Sequence, residues 1–201
     1  MGSIKHRSLP AFLLVLAQLS PLLQAQSLQW IAHGPGGDGV VSSVPDRRPA
    51  LDATGNLYVA ATAANGSGSD LLTEKYAPDG SLLWRAREHS SSGQALWSLG
   101  VAVNAAGDVV SAGVSGSGDV ITLHSYSAVG ERRWTRIYPR DPLRLQERFW
   151  QIGFRLDGVG NVYLSANADG YIEPTFFHLI KYDRDGILQW TRRIRDAEFP
   201  V

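Results

Sequence analysis

The stretch KYDRDGILQW, Lys181 to Trp190, decides the fold. It runs a strand-like segment into lysine and tyrosine, turns tightly at Asp-Gly and closes on tryptophan. Two earlier stretches keep the same frame, EKYAPDGSLLW from Glu74 and HSYSAVGERRW from His124. Glycine follows tyrosine by four residues and tryptophan follows glycine by four: Tyr76, Gly80, Trp84; Tyr126, Gly130, Trp134; Tyr182, Gly186, Trp190. A frame held in register three times marks a structural repeat, and a repeat fixes architecture before any single residue is interpreted.

A second signature precedes each of these units: LDATGNLYVA from Leu51, VNAAGDVVSA from Val103 and LDGVGNVYLS from Leu156. Each has Asp or Asn, two residues, Gly, then Asn or Asp and an apolar pair. Gly55 to Gly107 is 52 residues and Gly107 to Gly160 is 53, a period typical of solenoids and propellers. Glycine supplies the positive φ of a short hairpin, and its Asn or Asp neighbour tolerates left-handed geometry. Around the turns the residues alternate or run apolar and β-branched, as in ALWSLGVAV, NVYLSA and DVITLHSY, and helical periodicity is not sustained after the first 25 residues. Each unit therefore predicts four short antiparallel strands: an inner strand, a tight turn, a second strand, a looser loop, a third strand ending at tyrosine, a tight turn, and an outer strand carrying tryptophan. Four strands in about 50 residues describe a propeller blade.

These residues resemble the bacterial seven-bladed β-propeller repeat proteins (the SBBP repeat), whose units combine a D-x-x-G-N-x-Y turn with a K-Y-x-x-x-G-x-x-x-W hairpin. The resemblance covers residues 28 to 195. The middle copy departs from it, with Asn104 for Asp, Val110 for Tyr and Ser125 for Lys. A weaker resemblance is to quinoprotein-like (PQQ) propeller repeats, through their G-x-x-x-W endings. The family resemblance implies a propeller fold and an exported location, and no single activity.

The expected fold is thus all-β and of β-propeller type, about three four-stranded blades plus one N-terminal outer strand, forming an incomplete ring. Blades are expected at approximately 40–88, 92–138 and 146–195. The extra strand is SLQWIAHG, in which Trp30 matches the outer-strand tryptophans. Propellers close with about four to eight blades, so three blades and a strand point to a fragment of a longer propeller or to self-association that completes the ring.

The first 25 residues read as a secretory signal peptide, with Lys5 and Arg7 before an apolar run from Ala11 to Leu19 and a small residue, Ala25, at the exit. The apolar run is too short to span a bilayer. Residues 26–201 then form the partial propeller, exported to the periplasm or beyond the cell and not membrane-bound after cleavage. Of the 19 Lys and Arg two lie in the leader, leaving 17 against 19 acidic residues. That balance lacks the basic face that nucleic-acid binding requires. The chain has no cysteine, which excludes disulfides and thiolate metal sites and suits bacterial export.

No catalytic, metal or cofactor-binding residue is assigned from sequence, and no cofactor is named. His33, His89, His124 and His178 occupy four different positions in the repeat, whereas a ring of ligands would need equivalent ones. Asp52, Asp79, Asp157, Asp183 and Asp185, with Asn56 and Asn161, sit beside glycines where hairpins need them, and no calcium-loop spacing accompanies them. Trp97 and Trp150, each ten residues before its signature glycine, and Arg148 and Arg155 on the third inner strand are the candidate ligand contacts. Strand alternation sets Trp97 with Leu99, Val101 and Val103, and Trp150 with Ile152, Phe154 and Leu156, which predicts packing between blades. The tight turns lie at one end of each blade and the longer segments, around 62–69, 87–96, 114–119, 138–149 and 168–174, at the other, which is the expected binding face. The leading function is a non-catalytic exported binding or scaffold module for protein or glycan. The competing one is a propeller-type enzyme, a quinoprotein oxidoreductase or a metal-dependent hydrolase or lyase, with its site in missing blades.

Overall fold

The computed structural model describes residues 49–90, 95–141, 148–170 and 173–195. Twelve strands occupy these residues: β1 (Ala50–Leu51), β2 (Leu57–Ala64), β3 (Ser69–Tyr76), β4 (Leu82–Glu88), β5 (Leu96–Val103), β6 (Val109–Ser115), β7 (Val120–Tyr126), β8 (Arg132–Pro139), β9 (Arg148–Leu156), β10 (Val162–Gly170), β11 (Glu173–Tyr182) and β12 (Leu188–Arg195). They form three four-stranded antiparallel sheets, each pairing its strands in chain order. The fold is all-β and of β-propeller type, with three successive blades and no closed ring among the described residues. No described helix is long and apolar enough to cross a membrane. The expected signal peptide and the expected outer strand around Trp30 lie outside the described residues.

The two glycine signatures build the turns. Gly55, Gly107 and Gly160 close the first hairpin of each blade at φ +82°, +80° and +94°; Gly80, Gly130 and Gly186 close the second at +86°, +87° and +73°. In every one of the six, the glycine N–H donates back to the carbonyl three residues earlier, as Gly55 does to Asp52 at 3.1 Å and Gly186 to Asp183 at 2.9 Å. A side chain at these dihedrals costs about 1–2 kcal/mol, which explains why glycine recurs there.

The residue opening each first hairpin caps it. Asp52 Oδ1 accepts the N–H groups of Thr54 and Asn56, both at 3.0 Å, and its Oδ2 accepts Asn56 Nδ2 at 2.8 Å. Asp157 repeats this with Val159, Asn161 and the Asn161 amide. In the middle blade the pair is exchanged: Asn104 Oδ1 accepts Ala106 N–H and Asp108 N–H at 3.0 and 2.9 Å, and Asn104 Nδ2 donates to Asp108 Oδ2 at 3.0 Å. The departure at Asn104 is thus compensated four residues on, because one amide and one carboxylate still face each other.

Blades bury strands on both faces. In β6, Val109 faces the core shared with the first blade, alongside Tyr58, Leu71 and Tyr126, while Val110 and Ala112 join Ile121, Trp134 and Phe154 in the core shared with the third. The outer strand β12 is mostly exposed, and β4, apart from Arg85, is half-buried after its exposed first two residues. Fully burying one such apolar side chain contributes about 1.5–3 kcal/mol.

The spacing of tryptophan from glycine acquires its meaning between blades. Trp84 on β4 lies across the second-blade hairpin: its Nε1 donates to Ala128 O at 3.1 Å, and a Cβ on Gly130 would meet its Cγ at 2.7 Å. Trp134 on β8 does the same to the third blade, donating to Arg184 O at 2.8 Å with a Cβ on Gly186 only 2.8 Å from its Cδ2. The glycine of one repeat is therefore the seat for the tryptophan of the repeat before it.

Candidate functional site

Two strands carry the sequence-derived candidates. Trp97 is the second residue of β5 and Trp150 the third of β9. They pair with Val114 on β6 and Asn167 on β10 respectively, each seven residues beyond the signature glycine of its blade. The two indoles therefore stand at equivalent positions, on neighbouring inner strands that pack against each other. Both are on the end of the blade that carries the β2–β3 and β6–β7 loops, because the inner strand runs from that end towards the tight turn.

Their environment differs from the alternation read in sequence. Trp97 is 39% exposed and Trp150 40%, whereas their strand neighbours Leu96, Ser98 and Phe149 are buried. The cause is a bulge in each inner strand. In β5 the register steps from Ser98 to Gly100 against consecutive residues of β6, and Gly100 has φ +130°. In β9 the step lies between Trp150 and Gly153, where Gln151 has φ +45°. An extra residue reverses which side chains face inward beyond it, so Trp97 and Val101 lie on opposite sides although four residues apart. Two-residue alternation across these strands was the wrong assumption, and the indoles emerge half-exposed instead of packed between blades.

The surroundings of Trp97 are small and polar. A Cβ on Gly116 would sit 3.4 Å from Trp97 Nε1 and 3.4 Å from Ala95 Cβ. Ser115 and Ser117 beside it bind Asp119, whose carboxyl these hydroxyls hold below the usual carboxylate range. The β6–β7 loop also receives the third blade: Gly118 O accepts Phe149 N–H at 2.6 Å. The sequence placed this loop, around 114–119, on the expected binding face, but did not single out Gly116 or its contact with Trp97.

The arginines separate. Arg148 opens β9 at the loop end, two residues before Trp150, and is exposed. Arg155 is also exposed but lies seven residues further on, about 20 Å along an extended strand, where its Nη1 donates to Phe154 O at 2.9 Å. The structure brings Arg148 together with the tryptophan face and sets Arg155 at the opposite, tight-turn end.

The remaining polar clusters are structural ties. Asp70 is fully buried and receives Arg87 Nε at 2.7 Å, Asn65 Nδ2 at 2.6 Å and His89 Nδ1 at 2.9 Å. Burial pushes its carboxyl up, and these donors outweigh burial and hold it below the ordinary value. Glu88 links two blades, accepting Arg132 Nη1 at 2.7 Å and Tyr126 Oη at 3.1 Å, with His124 Nδ1 3.9 Å away. Burial lowers the His124 pKa against the pull of Glu88. Tyr76 is pushed up to about 12 by burial and by its bond to Glu74 at 2.7 Å. Among the described residues, no three His, Asp or Glu side chains gather closely enough to hold a metal ion. His33 lies outside the described residues.

No family model matches the chain, and no curated protein matches it.

Proposed function

We propose that the chain is an exported, non-catalytic β-propeller repeat module of the SBBP type that binds glycan or protein at its loop end, with Trp97, Trp150 and Arg148 as contacts. The observation that carries this reading is the pair of half-exposed indoles at equivalent positions on adjacent inner strands. Leaving about two-fifths of each indole in water forgoes about 0.6–1.2 kcal/mol of burial per side chain, a cost that bound ligand recovers. Indoles held on paired strands present flat apolar faces without the entropy cost of ordering a loop, and such faces stack on the C–H surface of a sugar or on a peptide side chain. Arg148 adds a fixed positive charge two residues from Trp150, which favours ligands carrying a carboxylate or sulfate. Export rests on the leader pattern of the sequence and on the resemblance to the repeat family.

Screening purified protein against glycan and peptide arrays, followed by titration of the best ligand, tests this. Replacing both Trp97 and Trp150 by Ala should abolish array signal while leaving the thermal midpoint within a few degrees of the parent. Binding that survives the double substitution refutes the assignment of the site. Turnover of a bound substrate, or a spectral change on adding quinone cofactor, would favour the propeller-type enzyme instead.

A further inference from the structure

The third blade surrounds its indole with polar groups that the second blade lacks. Asn167 pairs directly with Trp150 across β9 and β10, which stands the two side chains beside each other on one face. Asn167 Nδ2 donates to Gln151 Oε1 at 2.8 Å, the one hydrogen bond that either side chain makes among the described residues. It leaves Gln151 Nε2 as a donor and Asn167 Oδ1 as an acceptor, adjacent at the surface. Register is unbroken from Arg148 to Trp150, so alternation puts the exposed Arg148 on the indole's face and the buried Phe149 on the other. At the matching positions the second blade has Ala95 and Val114 around Trp97. Gln151 holds its place under strain: its φ of +45° is the one positive value outside glycine among the described residues. The second blade makes its bulge with Gly100, so the bulge itself does not call for a side chain. Residues strained in this way cluster at ligand sites, where the position of the side chain is what the fold retains.

We propose that Trp150, Gln151, Asn167 and Arg148 bind one hexuronate unit of an acidic glycan. The pyranose lies on the indole, two adjacent hydroxyls meet the amide pair, and the carboxylate meets Arg148. This assignment rests on the loop-end site proposed above and names its ligand class. Each sugar hydroxyl both donates and accepts, so neighbouring equatorial hydroxyls match a donor and an acceptor held side by side. A peptide side chain stacked on the indole offers no such pair. Arg148 and Trp150 are two residues apart on an extended strand, about 7 Å, the scale of a pyranose ring with its C5 carboxylate. Trp97 has neither amide nor charge beside it and stacks on a neighbouring unit of the same glycan. The β6–β7 loop joins the two halves, since a Cβ on Gly116 would lie 3.4 Å from Trp97 Nε1 and one on Gly118 3.3 Å from Arg148 Cβ.

Calorimetric titration of the full chain tests this with tetramers of glucuronate and of galacturonate, their methyl esters, and a glutamate-rich peptide. The acids should bind about 2–5-fold more tightly than their esters at low salt, the range of an exposed ion pair. Arg148→Gln should erase that preference and leave ester binding unchanged. Gln151→Gly and Asn167→Val, the latter installing the second blade's residue, should each weaken acid and ester alike by about 3–10-fold. The melting midpoint of Gln151→Gly should not fall below the parent's, because glycine relieves the strain; Asn167→Val carries the test if that variant folds poorly. Esters that bind as tightly as the acids, or affinities untouched by both amide substitutions, overturn the proposal. So does failure of both acids to bind. Binding of the peptide in place of the acids, lost in the Trp97→Ala, Trp150→Ala double variant, overturns the hexuronate and leaves the loop-end site standing. The site itself falls only by the array result described above.

Discussion

Placing a methyl group on Gly186 separates two costs that are usually confounded. The first is the dihedral: at φ +73° an alanine costs about 1–2 kcal/mol whatever surrounds it. The second is the collision with Trp134, whose Cδ2 would lie 2.8 Å from the new Cβ, inside any normal contact. Forcing an extra carbon into a packed site costs typically about 1–3 kcal/mol. Gly66 provides the reference, with φ +82° and nothing within 4 Å of its added Cβ. Both substitutions restrict the unfolded chain equally, so that contribution cancels. Gly186→Ala should therefore lose about 2–5 kcal/mol and Gly66→Ala about 1–2, the excess of about 1–3 belonging to the seat. Urea unfolding with unchanged slope measures this, and the thermal midpoint should separate the variants by roughly 2–4 °C per kcal/mol of excess. Repeating Gly186→Ala in a Trp134→Leu background should remove most of the excess. Equal losses at Gly186 and Gly66, or an excess that survives removal of the indole, would refute the seat.

Asn104→Asp opposes two carboxylates across the second-blade turn, where Asn104 Nδ2 now sits 3.0 Å from Asp108 Oδ2, and should destabilise by about 1–3 kcal/mol. Adding Asp108→Asn should recover most of that by recreating the Asp52 and Asn56 arrangement, the lost pairs to Arg133 and Arg184 being half-exposed and contributing about 0–1 kcal/mol each; failure of the double variant in a thermal melt would contradict the compensation. Acid should unfold the protein in two windows. His124 has a folded pKa below its ordinary 6.5 because of burial, so its contribution is complete above 6.5 and is lost as pH falls below it. Asp52, Asp70 and Asp108 have folded values below 3.8, since their hydrogen bonds outweigh burial, so their contributions are complete above that value and are lost as pH falls further. Melting midpoints against pH should show a shallow fall that His124→Gln abolishes and a steeper one that Asp52→Asn reduces; a midpoint independent of pH between 7 and 3 would be incompatible with these environments.

Much of this architecture was legible because turns write themselves locally. Positive φ demands glycine at all six turns from Gly55 to Gly186, and an Asx cap puts Asp or Asn three residues before it at four of them, Asp52, Asn104, Asp157 and Asp183, so the hairpins could be placed and the strands filled in between them. The partner of each tryptophan was not legible within one repeat, because Trp84 and Ala128 are 44 residues apart and only the period connects them. Trp97 and Trp150 were found as candidates but turned the wrong way, since a bulge at Gly100 or Gln151 costs a single residue in the sequence and leaves no pattern of its own. The pairing of Arg148 with Arg155 failed for a simpler reason: a strand separates what residue type alone had grouped. The interblade tie of Glu88 to Arg132 and Tyr126 joins residues from different repeats without any recurring motif.

The central claim is that successive blades lock through an outer-strand tryptophan bonded to the next hairpin, while the inner-strand indoles remain open to solvent. Hydrogen exchange of the indole N–H groups in protein labelled with 15N at tryptophan measures this directly. Slow exchange at Trp84 and Trp134, whose Nε1 groups donate to Ala128 O and Arg184 O, alongside fast exchange at Trp97 and Trp150, is the predicted result. Exchange at Trp84 and Trp134 as fast as at Trp150 would contradict it.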